Sequence, residues 1–140
     1  KRVEEIIKTE LNSYLGKVFE DVVKELIILY QGKNIKDIFI DFENIGSWWD
    51  RLGNEIDVVA YNNKSKRILV GEVKWTSQSM DIEIVEELVR KSKMINFIGE
   101  YKLLLVSKSG FTFRCISRMK ELNAIYLDLK DISALLAKLN

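Results

Sequence analysis

Histidine is absent from this sequence, and its absence excludes whole classes of enzyme. Serine–histidine and cysteine–histidine nucleophile pairs are impossible, and so is any metal site with a histidine ligand. The single cysteine, Cys115, leaves no partner for an internal disulfide and excludes a zinc site built from several thiolates. We therefore expect Cys115 to be a small core residue in a reducing, cytoplasmic environment. A metal bound here must be held by oxygen atoms, which favours Mg²⁺, Mn²⁺ or Ca²⁺.

Long apolar runs are lacking as well. None approaches the roughly 18 residues that span a bilayer, and the first residues, KRVEEIIKTE, contain acids throughout, unlike a signal peptide, so we expect no membrane partner. The phosphate-binding pattern GxxxxGK[ST] is also absent, which argues against ATP binding by that route. The chain of 140 residues is 47% hydrophobic and 31% charged, with a net charge of +1. This composition is typical of a single globular domain over residues 1–140.

Apolar spacing and turn residues predict the order of the elements. Leu15, Val18, Phe19 and Val22 follow helical spacing, and the segments on either side of NNKSK are typical of a β-hairpin. Asp81 is placed to cap a later helix. The expected elements are a helix over about 3–31, a strand over 35–43, a loop over 46–54, hairpin strands over 55–61 and 67–75, a helix over 81–98, a buried parallel strand over 102–107, a helix over 112–122, a strand over 124–129 and a helix over 131–139. This order indicates an α/β fold, with a mixed central sheet flanked by helices on both faces.

The two hairpin strands carry charged residues where a buried sheet would have apolar ones. Glu72 and Lys74 share a face of the second strand, and Asp57 lies almost opposite Glu72 if the hairpin is in register. Two neighbouring carboxylates repel unless a cation lies between them, so a divalent ion is the natural partner, with Lys74 as a second source of positive charge. An ordinary polar outer face would also explain these residues. We favour a functional cluster because helices are available to cover both faces, and burying unpaired charge costs several kcal/mol.

A third acid, Glu20, lies at the flank of the apolar stripe on the first helix. Helical side chains lean toward the preceding turn, where Gly16 leaves room for the carboxylate or a bound group. An acid at the boundary of an apolar stripe is also an ordinary surface feature. The helix alone leaves these two interpretations of Glu20 open.

The segments GKVFE, EIDVVAY and GEVKW together resemble the PD-(D/E)XK nuclease superfamily. That superfamily has an acid on a leading helix, an aspartate on one strand and an acid-x-lysine on the next, and the proline before its aspartate is Ile56 here. The segments YLGKVFED, IGSWWDRLGNEIDVVA, GEVKW and SKSGF, which span residues 14–111, look most like the uncharacterised nuclease-like domain at the C-terminus of archaeal AAA-type ATPases. The resemblance implies a restriction-endonuclease-like fold with the core order α-β-β-β-α-β. It also implies that the chain, which begins at Lys1, is the C-terminal fragment of a longer ATPase.

The resemblance also implies roles for individual residues. Asp57 and Glu72 would ligate Mg²⁺ or Mn²⁺, with Val73 contributing its backbone carbonyl. Lys74 would orient or deprotonate the attacking water and offset charge in the transition state. Glu20 would hold a water on the metal or a second ion.

The function expected from this resemblance is metal-dependent endonuclease cleavage of DNA beside an AAA-type ATPase. Two alternatives stay open: a catalytically silent nuclease fold that binds nucleic acid or regulates the ATPase, and a Holliday-junction resolvase. The long insertion before Asp57, FENIGSWWDRLGN, argues against the resolvase. A nuclease that cuts both strands of a duplex would favour a homodimer.

Several other residues have simpler interpretations. Arg90, Lys91 and Lys93 are expected on a solvated helix face, because Glu86 to Arg90 and Glu87 to Lys91 have the spacing of helical ion pairs. Trp48 and Trp49 could stack on bases, but we expect them to pack before a core strand. We expect Glu55 to be an exposed acid at the edge of its strand.

Overall fold

The computed structural model describes residues 2–140. Its elements are α1 (Arg2–Leu29), β1 (Asn34–Ile35), β2 (Ile38–Phe39), β3 (Asn44–Trp49), β4 (Glu55–Asn62), β5 (Arg67–Lys74), α2 (Ile82–Ser92), β6 (Glu100–Ser107), α3 (Phe113–Glu121), β7 (Ile125–Asp128) and α4 (Leu129–Ala137). Among these residues, no helix is both long enough and apolar enough to cross a membrane.

Five strands form one mixed sheet in the order β3-β4-β5-β6-β7. The pairs β3–β4 and β4–β5 are antiparallel, whereas β5–β6 and β6–β7 are parallel. The predicted hairpin and the predicted parallel strand are therefore confirmed, and so is the mixed α/β fold. The order α1-β3-β4-β5-α2-β6 also follows the expected α-β-β-β-α-β, with β3 in place of the strand predicted over 35–43.

Helices cover both faces of this sheet. On one face, α1 and α4 pack in a cluster that includes Leu26, Leu69 and Ile132, which we call the α1-side core. On the other face, α2 and α3 pack in a cluster that includes Leu88 and Cys115, which we call the α2-side core. Because both faces of β5 are covered, its apolar residues form a nearly continuous run, as expected for a central strand.

The helix caps follow the sequence where the capping residue is local. Asp81 adopts an extended conformation and its carboxylate accepts the backbone N–H of Ile82, which confirms the predicted N-cap. The same carboxylate accepts hydrogen bonds from Thr112 and Arg114 on the neighbouring α3 segment. Asp81 therefore both begins α2 and ties the two helices of this face together.

Two predicted segments before the hairpin are wrong. The expected strand over 35–43 is instead a short β1–β2 turn, in which Lys36 has a φ of 54°, followed by extended chain. The apolar alternation there was real, since Ile35, Ile40 and Phe42 all point into the α1-side core, but the chain folds back on itself. The expected loop over 46–54 begins as strand, because residues through Trp49 pair with β4.

The helix predicted over 81–98 is too long by about two turns, since α2 ends at Ser92. The remaining residues turn back toward the sheet and are held by Tyr101, whose hydroxyl oxygen lies 2.9 Å from the carbonyl oxygen of Ile95 and 3.0 Å from that of Phe97, and donates its one proton between them. Apolar spacing continued through this segment because Ile95 and Phe97 pack against the α2-side core without being helical.

The first half of α1 extends away from the domain. Residues 2–14 are exposed, including Ile7, Leu11 and Tyr14, and burial begins only near Phe19. We expect Leu11→Ala to change the free energy of unfolding by less than about 0.5 kcal/mol, because the side chain makes no core contact to lose. Urea denaturation of the two proteins checks this. A loss above about 1 kcal/mol would mean that another surface covers this half of the helix in solution.

Candidate metal centre

The candidate centre lies where β4 and β5 separate. Their ladder runs from Asn62–Arg67 to Val58–Gly71 and ends there, although β4 begins at Glu55 and β5 continues to Lys74. In the gap, Asp57 Oδ2 accepts the backbone N–H of Val73 at 2.9 Å. The carboxylate of Asp57 therefore replaces a backbone acceptor and is fixed between the strand ends.

A β-bulge on the other side of β4 sets this position. Gly46 pairs with Val59 but Trp48 pairs with Ile56, so Asp57 and Val58 together face Ser47. Ser47 Oγ donates to the backbone carbonyl of Asp57 at 2.8 Å, and it accepts a hydrogen bond from Lys24 Nζ at 2.7 Å. Bulges of this kind redirect a side chain next to a functional site.

The bulge also breaks the alternation on which the prediction relied. Ile56 and Val59 are three residues apart, which strict alternation would place on opposite faces, yet both belong to the α2-side core. The predicted proximity of Asp57 and Glu72 holds, and Asp57 reaches its position through the bulge and the gap rather than through a regular strand face.

Glu72 is a buried acid that two lysines approach. Its side chain is only 6% exposed, and Oε1 accepts a hydrogen bond from Lys91 Nζ at 2.8 Å. Lys74 Nζ lies 3.7 Å from Oε2, and its side chain is 40% exposed. Burial raises the pKa of Glu72 above its ordinary value, and the negative charge of Asp57 raises that pKa further, against the opposing effect of the lysines.

Lys91 was expected on a solvated face, and that prediction is wrong. Its side chain is 12% exposed, and besides Glu72 it binds the backbone carbonyl of Glu55 at 2.6 Å. The helical partner expected for it, Glu87, instead pairs with Arg90. The sequence position of Lys91 could have indicated this location, because Lys91 lies three residues after Leu88, on the side of α2 that faces the sheet.

Glu20 approaches Asp57 from the opposite side. Burial raises the pKa of Glu20, and the charge of Asp57 raises it further, so the two carboxylates interact. Lys17 Nζ lies 3.9 Å from Glu20 Oε1. Gly16, expected to leave room for this carboxylate, lies beside Trp75: a Cβ at Gly16 would be 3.8 Å from the Cβ of Trp75, an ordinary contact.

Two cavities meet at Asp57. One, of about 230 Å³, is lined by Asp57, Glu72, Lys74 and Lys91 among others. The second, of about 370 Å³, is lined by Asp57 together with Glu20 and residues of β3. The structure thus brings Asp57, Glu72 and Lys74 into one cavity, as predicted, and places Glu20 in the adjoining one.

The oxygen donors at this site fit a hard divalent cation that takes few ligands from the protein. Within residues 2–140 no three acidic side chains converge closely enough to enclose a metal ion. The side chains that could bind a cation here are therefore the two carboxylates of Asp57 and Glu72. The role of the Val73 carbonyl as a further ligand stays a prediction. One oxygen of Asp57 is engaged by Val73, so the other is the one available to a cation. Mg²⁺ and Mn²⁺ bind with one or two carboxylates when water completes the shell.

Of the remaining predictions, some are confirmed by the structure and one is wrong. Trp48 packs against the α2-side core as expected, but Trp49 is 71% exposed, so the packing expected for it is wrong. Glu55 and Lys93 are exposed, as predicted. Cys115 is buried in the core, where burial raises the pKa of its thiol to about 11.

Comparison with known proteins places the chain in a family. The profile of DUF234, a family described as archaea bacterial proteins of unknown function, matches residues 1–86. The chain belongs to the DUF234 family. The part of this DUF234 chain that matches contains Glu20, Asp57, Glu72 and Lys74, whereas Lys91 lies beyond it.

A relative of this DUF234 chain occurs in Methanocaldococcus jannaschii, where it is described as an uncharacterized protein. The two are 43% identical over 133 residues, which cover 92% of this chain. The chain spans 28% of the length of that relative.

Proposed function

We propose that this DUF234 domain is a metal-dependent phosphodiesterase that cuts DNA, with Asp57 and Glu72 as the metal ligands. The observation that carries the proposal is the placement of Asp57 between two separating strands, beside a buried glutamate whose pKa is raised. Carboxylates held together against their own repulsion are typical of cation sites. The resemblance to the PD-(D/E)XK nucleases supports the same assignment and the restriction-endonuclease-like identity of the fold.

Each residue of the candidate centre has a distinct part in this proposal. A bound Mg²⁺ or Mn²⁺ would supply a Lewis acid for phosphodiester hydrolysis. Val73 N–H orients the Asp57 carboxylate, and Lys91 holds Glu72. Lys74, the more exposed lysine, is free to reach a phosphate oxygen and offset the charge that develops there. Glu20 orients water on the far side of Asp57.

The setting of the domain is part of the proposal. We place it in the cytoplasm, in a longer chain with an AAA-type ATPase, because of the resemblance to the nuclease-like domain of such ATPases. Cutting of both strands of a duplex would use a homodimer.

One observation favours a second candidate, a catalytically silent nuclease fold that binds nucleic acid or regulates the ATPase. The ammonium of Lys91 already neutralises Glu72 at 2.8 Å, so the site is stabilised in part without any metal. In that case the acids and lysines would form a structural ion cluster.

Incubation with supercoiled plasmid and with a four-way DNA junction separates these functions. With Mn²⁺ or Mg²⁺ we expect cleavage by the wild type, none in EDTA, and none by Asp57→Ala, because that substitution removes a metal ligand. Glu121→Ala, which removes an exposed acid on α3, is the control and should cut like the wild type. Selective cutting of the junction would indicate the resolvase alternative.

Identical behaviour of wild type and Asp57→Ala in every condition would contradict the nuclease function. Binding without cleavage, unaffected by metal, would support the silent fold.

A further inference from the structure

Two large apolar side chains are exposed beside the candidate centre. Trp49, at the end of β3, is 71% exposed, and Leu52, in the connection to β4, is 85% exposed. Trp48 next to them packs against the α2-side core, so the exposure is confined to these neighbours. An exposed tryptophan is an apolar surface that is stabilised when another planar group covers it.

The connection that carries Leu52 is held in one conformation by its own side chains. Asp50 Oδ1 accepts the backbone N–H groups of Leu52 and Asn54, both at 2.9 Å, and Oδ2 accepts Asn54 Nδ2 at 2.8 Å. Gly53 has a φ of 89°, which the turn requires. Arg90 Nη2 donates to Asn54 Oδ1 at 2.9 Å and so anchors the connection to α2. The two apolar side chains are therefore presented on a preorganised loop.

This loop borders both cavities of the centre. Trp49 lines the cavity that contains Glu20 and Asp57. Gly53 and Asn54, at the base of the same connection, line the cavity that contains Glu72. A molecule that contacts Asp57 and Glu72 from solvent would therefore meet this loop.

Charges of both signs lie near the exposed ring. Lys17 lines the same cavity as Trp49, together with the acids Glu20 and Asp57, and Arg51 is an exposed residue of the connection. A ring that can stack, with a lysine and an arginine nearby, matches a nucleotide better than a purely apolar protein surface, because a nucleotide combines a planar base with a phosphate.

We propose that Trp49, with Leu52 beside it, is a stacking platform for an unpaired base next to the bound phosphodiester. The inference rests on the proposed function, since it takes a polynucleotide as the ligand of the centre. Bases inside a duplex are covered by their neighbours, so a platform of this kind selects single-stranded segments, flaps or open junctions. The substrate class is therefore a polynucleotide with unpaired nucleotides at the cut site.

Binding without metal tests the platform apart from cleavage. Fluorescence anisotropy in EDTA would compare a labelled single-stranded oligonucleotide with the duplex of the same sequence, using the full 140-residue chain. We expect Trp49→Ala to weaken single-strand binding about tenfold, since one stacked base is lost, and to change duplex binding little. Phe113→Ala is the matched control, because Phe113 is an aromatic residue on α3 that is 92% exposed, and it should bind like the wild type.

Three results would overturn the platform. They are an unchanged single-strand affinity of Trp49→Ala, an equal loss for the duplex, and the absence of single-strand binding by the wild type. Sedimentation adds a fourth: if Trp49→Ala converts a dimer to a monomer and leaves oligonucleotide binding unchanged, the exposed ring is a self-association surface.

Failure of the nuclease proposal gives a different pattern. Trp49-dependent binding with no Mn²⁺-dependent cutting would support the platform and contradict catalysis. Cutting that depends on Asp57 but not on Trp49, with an unchanged single-strand affinity of Trp49→Ala, would support catalysis and contradict the platform.

Discussion

Glu72→Gln is expected to abolish Mn²⁺ binding and to lower Mn²⁺-dependent cleavage by about 10³-fold while the protein stays folded. The substitution removes one of two carboxylates that are available as ligands, and it does so without changing the volume of the side chain. The amide oxygen of glutamine can still accept the hydrogen bond from Lys91. The substitution should therefore weaken cation binding and leave side-chain packing unchanged.

Calorimetric titration with Mn²⁺ and thermal unfolding measure this effect together. Mn²⁺ should raise the Tm of the wild type through mass action and leave the Tm of Glu72→Gln unchanged. Glu87→Gln is the matched control: it removes an acid at the rim of the same cavity, but this acid pairs with Arg90 and is half exposed. Unaltered Mn²⁺ affinity in Glu72→Gln would contradict the assignment of the ligands.

Lys91→Met is expected to lower the free energy of unfolding by about 2 kcal/mol at pH 8. Methionine fills similar space, but it leaves the buried carboxylate of Glu72 without its closest hydrogen-bond donor. The loss is smaller than for complete removal of a buried partner, because Lys74 lies 3.7 Å from the other oxygen. Lys93→Met, on the exposed side of the same helix, should change stability by less than about 0.5 kcal/mol.

The deficit of Lys91→Met should depend on pH in a defined direction. The pKa of Glu72 is raised in the folded protein, so its contribution to stability is present below its ordinary pKa and is lost as pH rises through the raised value. Removing Lys91 removes a group that lowers this pKa, and the loss therefore grows with pH. Urea denaturation at pH 4.5 and at pH 8 measures it, and an equal deficit at both values would contradict a role for the Glu72 charge.

Local patterns in the sequence determined much of this protein. The spacing of apolar residues predicted α1, the β4–β5 hairpin, the parallel strand β6 and the order of the layers, because each of these depends on contacts repeated along one segment. Asp81 was identified as a cap for the same reason, since a cap binds the backbone next to it. The register of the hairpin, which a short turn fixes, already placed Asp57 almost opposite Glu72 along the two strands.

Pairings between distant segments were decided only by the tertiary structure. The bulge that redirects Asp57 arises where β4 pairs with β3, because two residues of β4 lie opposite one residue of β3. The sequence of β4 alone does not indicate this mismatch. Lys91 has an acid at helical spacing, so its sequence predicts a local pair, but docking of α2 on the sheet brings it to Glu72 instead. Trp48 and Trp49 are adjacent and alike, and the pairing of β3 with β4 makes this segment a strand, so that Trp48 packs against the α2-side core and Trp49 is exposed. In each case the deciding contact comes from another element, which short-range patterns cannot specify.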